Sequence, residues 1–202
     1  MEMKVDGAIR DVELVEGMSL GKVLDEARVR VLGEGRVITE IKVDGEVLEA
    51  GEQEELGRRS AEEFGRVEIR TRRADELARE TLRELVRHVE QVEAVMPELV
   101  GYLEEDKIQE GMTLLSSCCQ VWAVVQDALS KVGILLEWDY GSVEAEGKTV
   151  SEWLGEMEVT LRGMNEALTN RDFVLLCEVL RHEFSPGMRS WQGILSHLAE
   201  NV

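Results

Sequence analysis

Apolar residues recur at every second position through the first third of the chain, and at every third or fourth position from Asp75 onward. Strands repeat with a period of two and helices with a period near ~3.6, so the change of rhythm near Ala74 predicts two units, 1–73 and 74–202. Met1, Met3 and Val5 alternate with polar residues up to Asp6-Gly7, and Val12 and Leu14 resume the alternation, the pattern of a hairpin closed by a tight primed turn. Ser19 is placed to cap a helix over Leu20 to Val31, with Met18 and Val23 set as a hydrophobic staple. Gly33 and Gly35 stop that helix. Val37, Thr39, Ile41 and Val43 then alternate up to a second Asp-Gly pair, Asp44-Gly45, and a short strand is predicted around Val47 and Leu48. Residues 50–64 read as a loop or helical turn, and Val67, Ile69 and Thr71 as the last strand.

The order of hairpin, helix, two strands, short connection and final strand resembles the β-grasp or ubiquitin-like fold over about the first 73 residues. That resemblance implies a small sheet packed on one helix, a scaffold used for protein contacts as often as for cofactors. No terminal Gly-Gly tail and no CxxC cluster occurs, which supports neither a conjugated modifier nor an iron–sulfur carrier.

In the second unit Leu77, Leu82, Leu85, Val86, Val89, Val92 and Met96 trace one face of a long helix, which Pro97 is expected to kink or divide. Asp106 followed by Gln109 resembles a capping box. From there Ile108, Met112, Leu115, Cys119, Trp122, Val125, Leu129 and Val132 carry a second helix, ended by Gly133. Leu114, Cys118, Val121 and Val124 widen its apolar face, marking it as the central helix of the unit. Residues 134–147 form a connection. Thr149 with Glu152 is a second capping box, opening a helix whose stripe runs through Val150, Leu154, Met157, Leu161, Met164 and Leu168 at the spacing of a narrow seam. Phe173, Leu176, Cys177, Leu180 and Phe184 belong to a further helix, and Ser185-Pro186 reads as a cap that restarts the chain into Met188, Trp191, Leu195 and Leu198. The expected class is α+β: a β-grasp-like domain followed by an antiparallel bundle of four to five helices. With no Pro- or Ser-rich stretch between Thr71 and Asp75, the last strand is expected to run almost directly into the first long helix.

The segments EEDKIQEGMTLLSSCCQVWAVVQDALSKV (104–132) and NEALTNRDFVLLCEVLRHEFSPGMRSW (165–191) resemble the helix pattern of the bacterial flagellin-export chaperone family. The resemblance implies a bundle that wraps a disordered partner segment in a groove. Members of that family are mostly bundle alone, whereas this chain devotes its first third to strands.

Charge narrows the partners. The net charge is -19, and residues 74–202 carry most of it, with 24 acidic against 10 basic residues compared with 18 against 13 before them. Such a surface repels phosphate backbones and anionic lipid heads, so neither nucleic acid nor membrane is expected as a partner, whereas a basic or amphipathic protein segment would be steered in. The N-terminal stretch lacks the apolar run of a signal peptide and no window approaches ~20 apolar residues, which together point to the cytoplasm. Three cysteines, two of them adjacent, make a poor disulfide framework.

Candidate chemistry is sparse. His88 lies four residues after Glu84 and near Glu90, a spacing that can share a metal in carboxylate-bridged bundles, but the Glu-x-x-His motif those sites use is absent and a solvated charge face accounts for the pattern. His182 reads as a cation near a helix end. Cys118, Cys119 and Cys177 offer soft ligands, yet adjacent residues diverge by ~100° on a helix, so core packing is expected. No phosphate loop, nucleophile elbow or HExxH string occurs. No catalytic, cofactor-binding or metal residue is therefore assigned. Trp138 and Tyr140 stand apart, because they lie in a connection beside Glu137 and Asp139, where an aromatic can anchor a partner segment. The expected function is a non-enzymatic protein-interaction or assembly module that self-associates. The alternatives are an export or assembly chaperone and an enzyme with a site between the domains.

Overall fold

The computed structural model describes residues 1–10, 17–49 and 51–202. It divides into two compact units, Met1–Leu77 and Ala78–Val202. In the first, β1 (Glu2–Val5) and β2 (Ala8–Arg10) form the expected hairpin, and helix α1 (Leu20–Gly33) follows. Then come β3 (Arg36–Val43), β4 (Glu46–Val47), the short helix α2 (Gln53–Gly57), a single 3-10 turn at Ala61–Glu63, and β5 (Arg66–Arg73). Val12 and Leu14 lie outside the described residues.

The sheet has the order β2-β1-β5-β3-β4, with β1 parallel to β5 and the other pairs antiparallel. This is the β-grasp arrangement. Both Asp-Gly turns take left-handed backbone at both residues, Asp6 at φ 50° and Gly7 at 82°, Asp44 at 50° and Gly45 at 94°, as a primed turn requires. The core beneath α1 is built from Leu20, Val23, Leu24 and Ala27 against Met3, Ile41, Val43, Val67 and Ile69. In β3 the alternation is interrupted. A register shift between Ile38 and Glu40 turns Ile38, rather than Val37 and Thr39, toward this core.

One polar knot fastens the sheet. The Asp6 carboxylate accepts hydrogen bonds from the Thr71 amide at 2.8 Å and the Thr71 hydroxyl at 2.5 Å, and it pairs with the Arg36 guanidinium at 3.2 Å. The turn after β1 is thereby tied to β5 and β3.

The second unit is helical: α3 (Ala74–Glu104), α4 (Ile108–Leu136), α5 (Val150–Thr169), α6 (Phe173–Val179) and α7 (Ser185–Glu200), with a two-strand hairpin, β6 (Glu144–Ala145) and β7 (Lys148–Thr149), before α5. A π-helical turn, Leu180–Phe184, joins α6 to α7 without a break, so the helices make four rods. The last rod runs antiparallel to α3. Arg79 donates to the Val202 carbonyl, Gln192 to Glu90 at 2.7 Å and Arg189 to Glu93 at 3.2 Å, while Arg181 pairs with Glu104 at 2.6 Å, so one chain ascends as the other descends.

Several local expectations are corrected. Pro97 does not divide α3, which is unbroken from Ala74 to Glu104, with Val92, Met96, Leu99, Val100 and Leu103 buried on both sides of the proline. Asp106 does not cap α4; it sits at φ 59° and Lys107 is the terminal residue, with no side-chain cap. Gly133 does not end α4 either. The helix continues to Leu136 and stops at Glu137 in left-handed backbone, while Gly133 is buried where the Tyr140 ring approaches it. Ser185 caps nothing, and Ser185-Pro186 lies within a continuous rod, because the preceding π turn absorbs the hydrogen bond the proline cannot make. His182 accordingly sits inside that turn. The Thr149–Glu152 capping box forms as expected.

Candidate interaction surface

The core of the second unit takes one face from each rod. From the last rod come Leu176, Leu180, Phe184, Met188, Trp191, Ile194, Leu195 and Leu198, and from α4 come Leu115, Cys118, Trp122, Val125, Leu129 and Val132. Trp122 meets Trp191 edge to face, with ring centroids 5.2 Å apart. The most thoroughly enclosed rod is the last. α4 is buried along one stripe only, which corrects its expected central position.

The opposite face of α4 combines exposed apolar residues with few charges. It is lined by Thr113, Ser116, Ser117, Gln120, Ala123, Val124, Asp127, Ser130, Lys131 and Ile134, all exposed or nearly so. Val124 is 53 % exposed and Ile134 77 %. Across its 29 residues α4 carries only three charges, Glu110, Asp127 and Lys131. The last two neutralise each other in an i,i+4 ion pair of 2.6 Å. By length and composition α4 would even pass for a membrane span, with a mean hydropathy of 1.2 over a window that is only 28 % buried. By contrast, the exposed Val159 on α5 is surrounded along its helix by Glu152, Glu156, Glu158 and Glu166 against the single Arg162.

At the end of α4 the connection folds back. The Tyr140 hydroxyl donates to the Leu129 carbonyl, and burial pushes its pKa up to about 12. Trp138 packs edge to face on Tyr140 at 6.3 Å, and both are half-buried. Of the two aromatics singled out in the sequence, Tyr140 is thus committed to α4, and Trp138 packs on Tyr140 against the edge of the core. The β6–β7 hairpin is pinned likewise: the Trp153 indole donates to the Ala145 carbonyl at 2.8 Å, and Lys148 stands over the same ring at 4.3 Å.

The remaining candidates are dispersed. Cys118 and Cys177 are buried and Cys119 half-buried; burial raises all three thiol pKa values, that of Cys118 to about 11. His88 is half-buried and its Nδ1 has no hydrogen-bond partner. No group of three His, Cys, Asp or Glu side chains suited to a metal occurs among the described residues. A depression of about 410 Å³ is floored by Met96, Pro97, Val100 and Leu180. Its arginines, Arg181 and Arg189, already hold Glu104 and Glu93, so they join two rods rather than wait for an anion.

The outer face of α4 does not stand out in the apolar pattern, because Val124 adjoins the buried stripe and Ile134 follows Gly133, where the helix is expected to end. The signal was present as a second three-four rhythm, 113, 117, 120, 124, 127, 131, 134, running opposite the core stripe with one charge pair in it.

No curated protein and no solved structure matches the chain. Residues 1–73 match the model of the TP0873 N-terminal domain. Residues 80–194, more than half of the chain, match the model described as Domain of unknown function (DUF8042), and the chain belongs to that family.

Proposed function

We propose that this protein is a non-enzymatic interaction and assembly module whose helical unit works through the outer face of α4. The observation that carries this reading is the exposure of Val124 and Ile134 on a face without net charge, in a chain whose net charge is -19. Exposed apolar side chains cost solubility, and a net-neutral helix face offers a second protein surface no electrostatic penalty on approach. The polar members of the face, Thr113, Ser116, Ser117, Gln120 and Ser130, suit a protein surface better than lipid.

Site-specific photo-crosslinking in cells tests it. A photoreactive residue at Val124 or Ile134 is expected to trap a protein, whereas one at the exposed, acidic Glu158 of α5 is not. If neither α4 position yields an adduct with any protein, itself included, the reading fails.

A further inference from the structure

Resting on the α4 reading, we infer that its partner is a second copy of this chain, paired antiparallel through α4 about a twofold axis at the level of Leu129. A twofold contact is self-complementary: if residue i meets residue j of the partner, j must meet i. In an antiparallel helix pair, i and j lie equally far on either side of the axis. The outer face of α4 has that symmetry. Val124 and Ile134, its two large exposed apolar residues, each stand five positions from 129, and Asp127 and Lys131, its one charge pair, each stand two positions from it.

The angular placement agrees. At about 100° per residue, Gln120 marks the direction opposite Leu129; Val124 and Ile134 then lie about 40° to either side of it, and Asp127 and Lys131 about 20°. Pairing therefore sets Val124 against the second copy's Ile134 and Asp127 against its Lys131, each contact made twice. Ala123 and Ser130, within the stretch that overlaps, are small enough to let two backbones approach.

Charge selects the second copy over other occupants. A basic segment would be steered to the acidic faces and not to this one, where Asp127 and Lys131 cancel. For two copies that are each strongly negative, this is a face on which like charges need not meet. With the axis at Leu129 the two copies of α4 face each other over residues 122–136, about 22 Å, an interface at or below the low end of stable sizes, so the pair should be weak and seen only toward the top of a concentration series.

The test is sedimentation of the full chain over a concentration series reaching about 0.2 mM, where mass action reveals a weak dimer. Asp127→Lys and Lys131→Asp each place like charges against each other twice, and each should raise the dimer dissociation constant about tenfold or more. An equimolar mixture of the two variants, and the double swap in one chain, restore opposite charges and should return the constant to within about threefold of the original. Both side chains are well exposed, 64 % and 73 %, so unchanged circular dichroism is expected to show that the variants fold. A monomer throughout the series, single swaps without effect, or swaps that the mixture fails to restore would each overturn the inference. Flotation of the monomer with phosphatidylcholine vesicles would do so as well, by giving the face to lipid. If the chain is monomeric while Val124 still crosslinks to a different protein, the pairing is refuted and the interaction reading stands.

Discussion

Gly133 and Tyr140 provide the sharpest check on how the helical unit is built. Gly133 is a helical residue, and in an open helix replacing it with alanine should stabilise by about 1 kcal/mol, because glycine loses more backbone freedom on folding. Here a Cβ would sit 2.8 Å from Cζ and the hydroxyl oxygen of Tyr140. The ring cannot swing aside freely, since its hydroxyl donates to the Leu129 carbonyl one turn earlier. Overpacking of this kind costs about 1–3 kcal/mol, which cancels or outweighs the propensity gain. Gly133→Ala is therefore expected to be neutral to destabilising by about 2 kcal/mol. In a Tyr140→Ala background the same substitution should recover the full stabilisation of about 1 kcal/mol, so the coupling between the two sites is about 1–3 kcal/mol. Urea unfolding followed by helical circular dichroism, with all four members of the cycle, measures it. If Gly133→Ala alone stabilises by about 1 kcal/mol and the cycle shows no coupling, the placement of Tyr140 against α4 is wrong.

Asp6 gives a prediction in pH. Burial raises its pKa, but the hydrogen bonds from the Thr71 hydroxyl and amide and the nearby Arg36 charge outweigh this, leaving it below the usual carboxylate value. A depressed folded-state pKa means the stabilisation is present above the unfolded value of about 3.9 and fades as pH falls through the lower folded value. Asp6→Asn should therefore weaken the β-grasp unit at neutral pH and narrow its difference from the original in acid, read by thermal melts across the acidic range; a constant difference would refute the assignment. At the start of α5, Thr149→Ala removes the acceptor for the Glu152 amide and one half of a complete capping box, and should cost about 1 kcal/mol in urea unfolding. Thr149→Ser should retain most of it, and an equal loss in both variants would exclude the cap as the cause.

Much of the architecture is legible in the sequence because it is local. The Asp6-Gly7 and Asp44-Gly45 turns, the Ser19 cap with Lys22 and the Thr149–Glu152 box each involve residues within four positions of one another, and each forms as read. The candidate surface was legible only in part. Trp138 was marked by its place in a connection, but the pairing of Asp127 with Lys131 and the exposure of Val124 were hidden under an apolar count that ignores direction.

By itself, then, the sequence determined the two units, the order and type of most elements and the conformation of their turns, since hydrophobic period and turn chemistry act over a few residues. The tertiary structure decided what depends on distant partners. The parallel pairing of β1 with β5 joins residues more than sixty positions apart. Against local breaking signals, α3 runs through Pro97 with buried residues on both sides, and the last rod runs through Ser185-Pro186 by way of a π turn. Which face of α4 is covered is of the same kind: an apolar helix has two candidate faces, and only the packing of the other rods selects the stripe through Trp122 and leaves Val124 and Ile134 to water or to a partner.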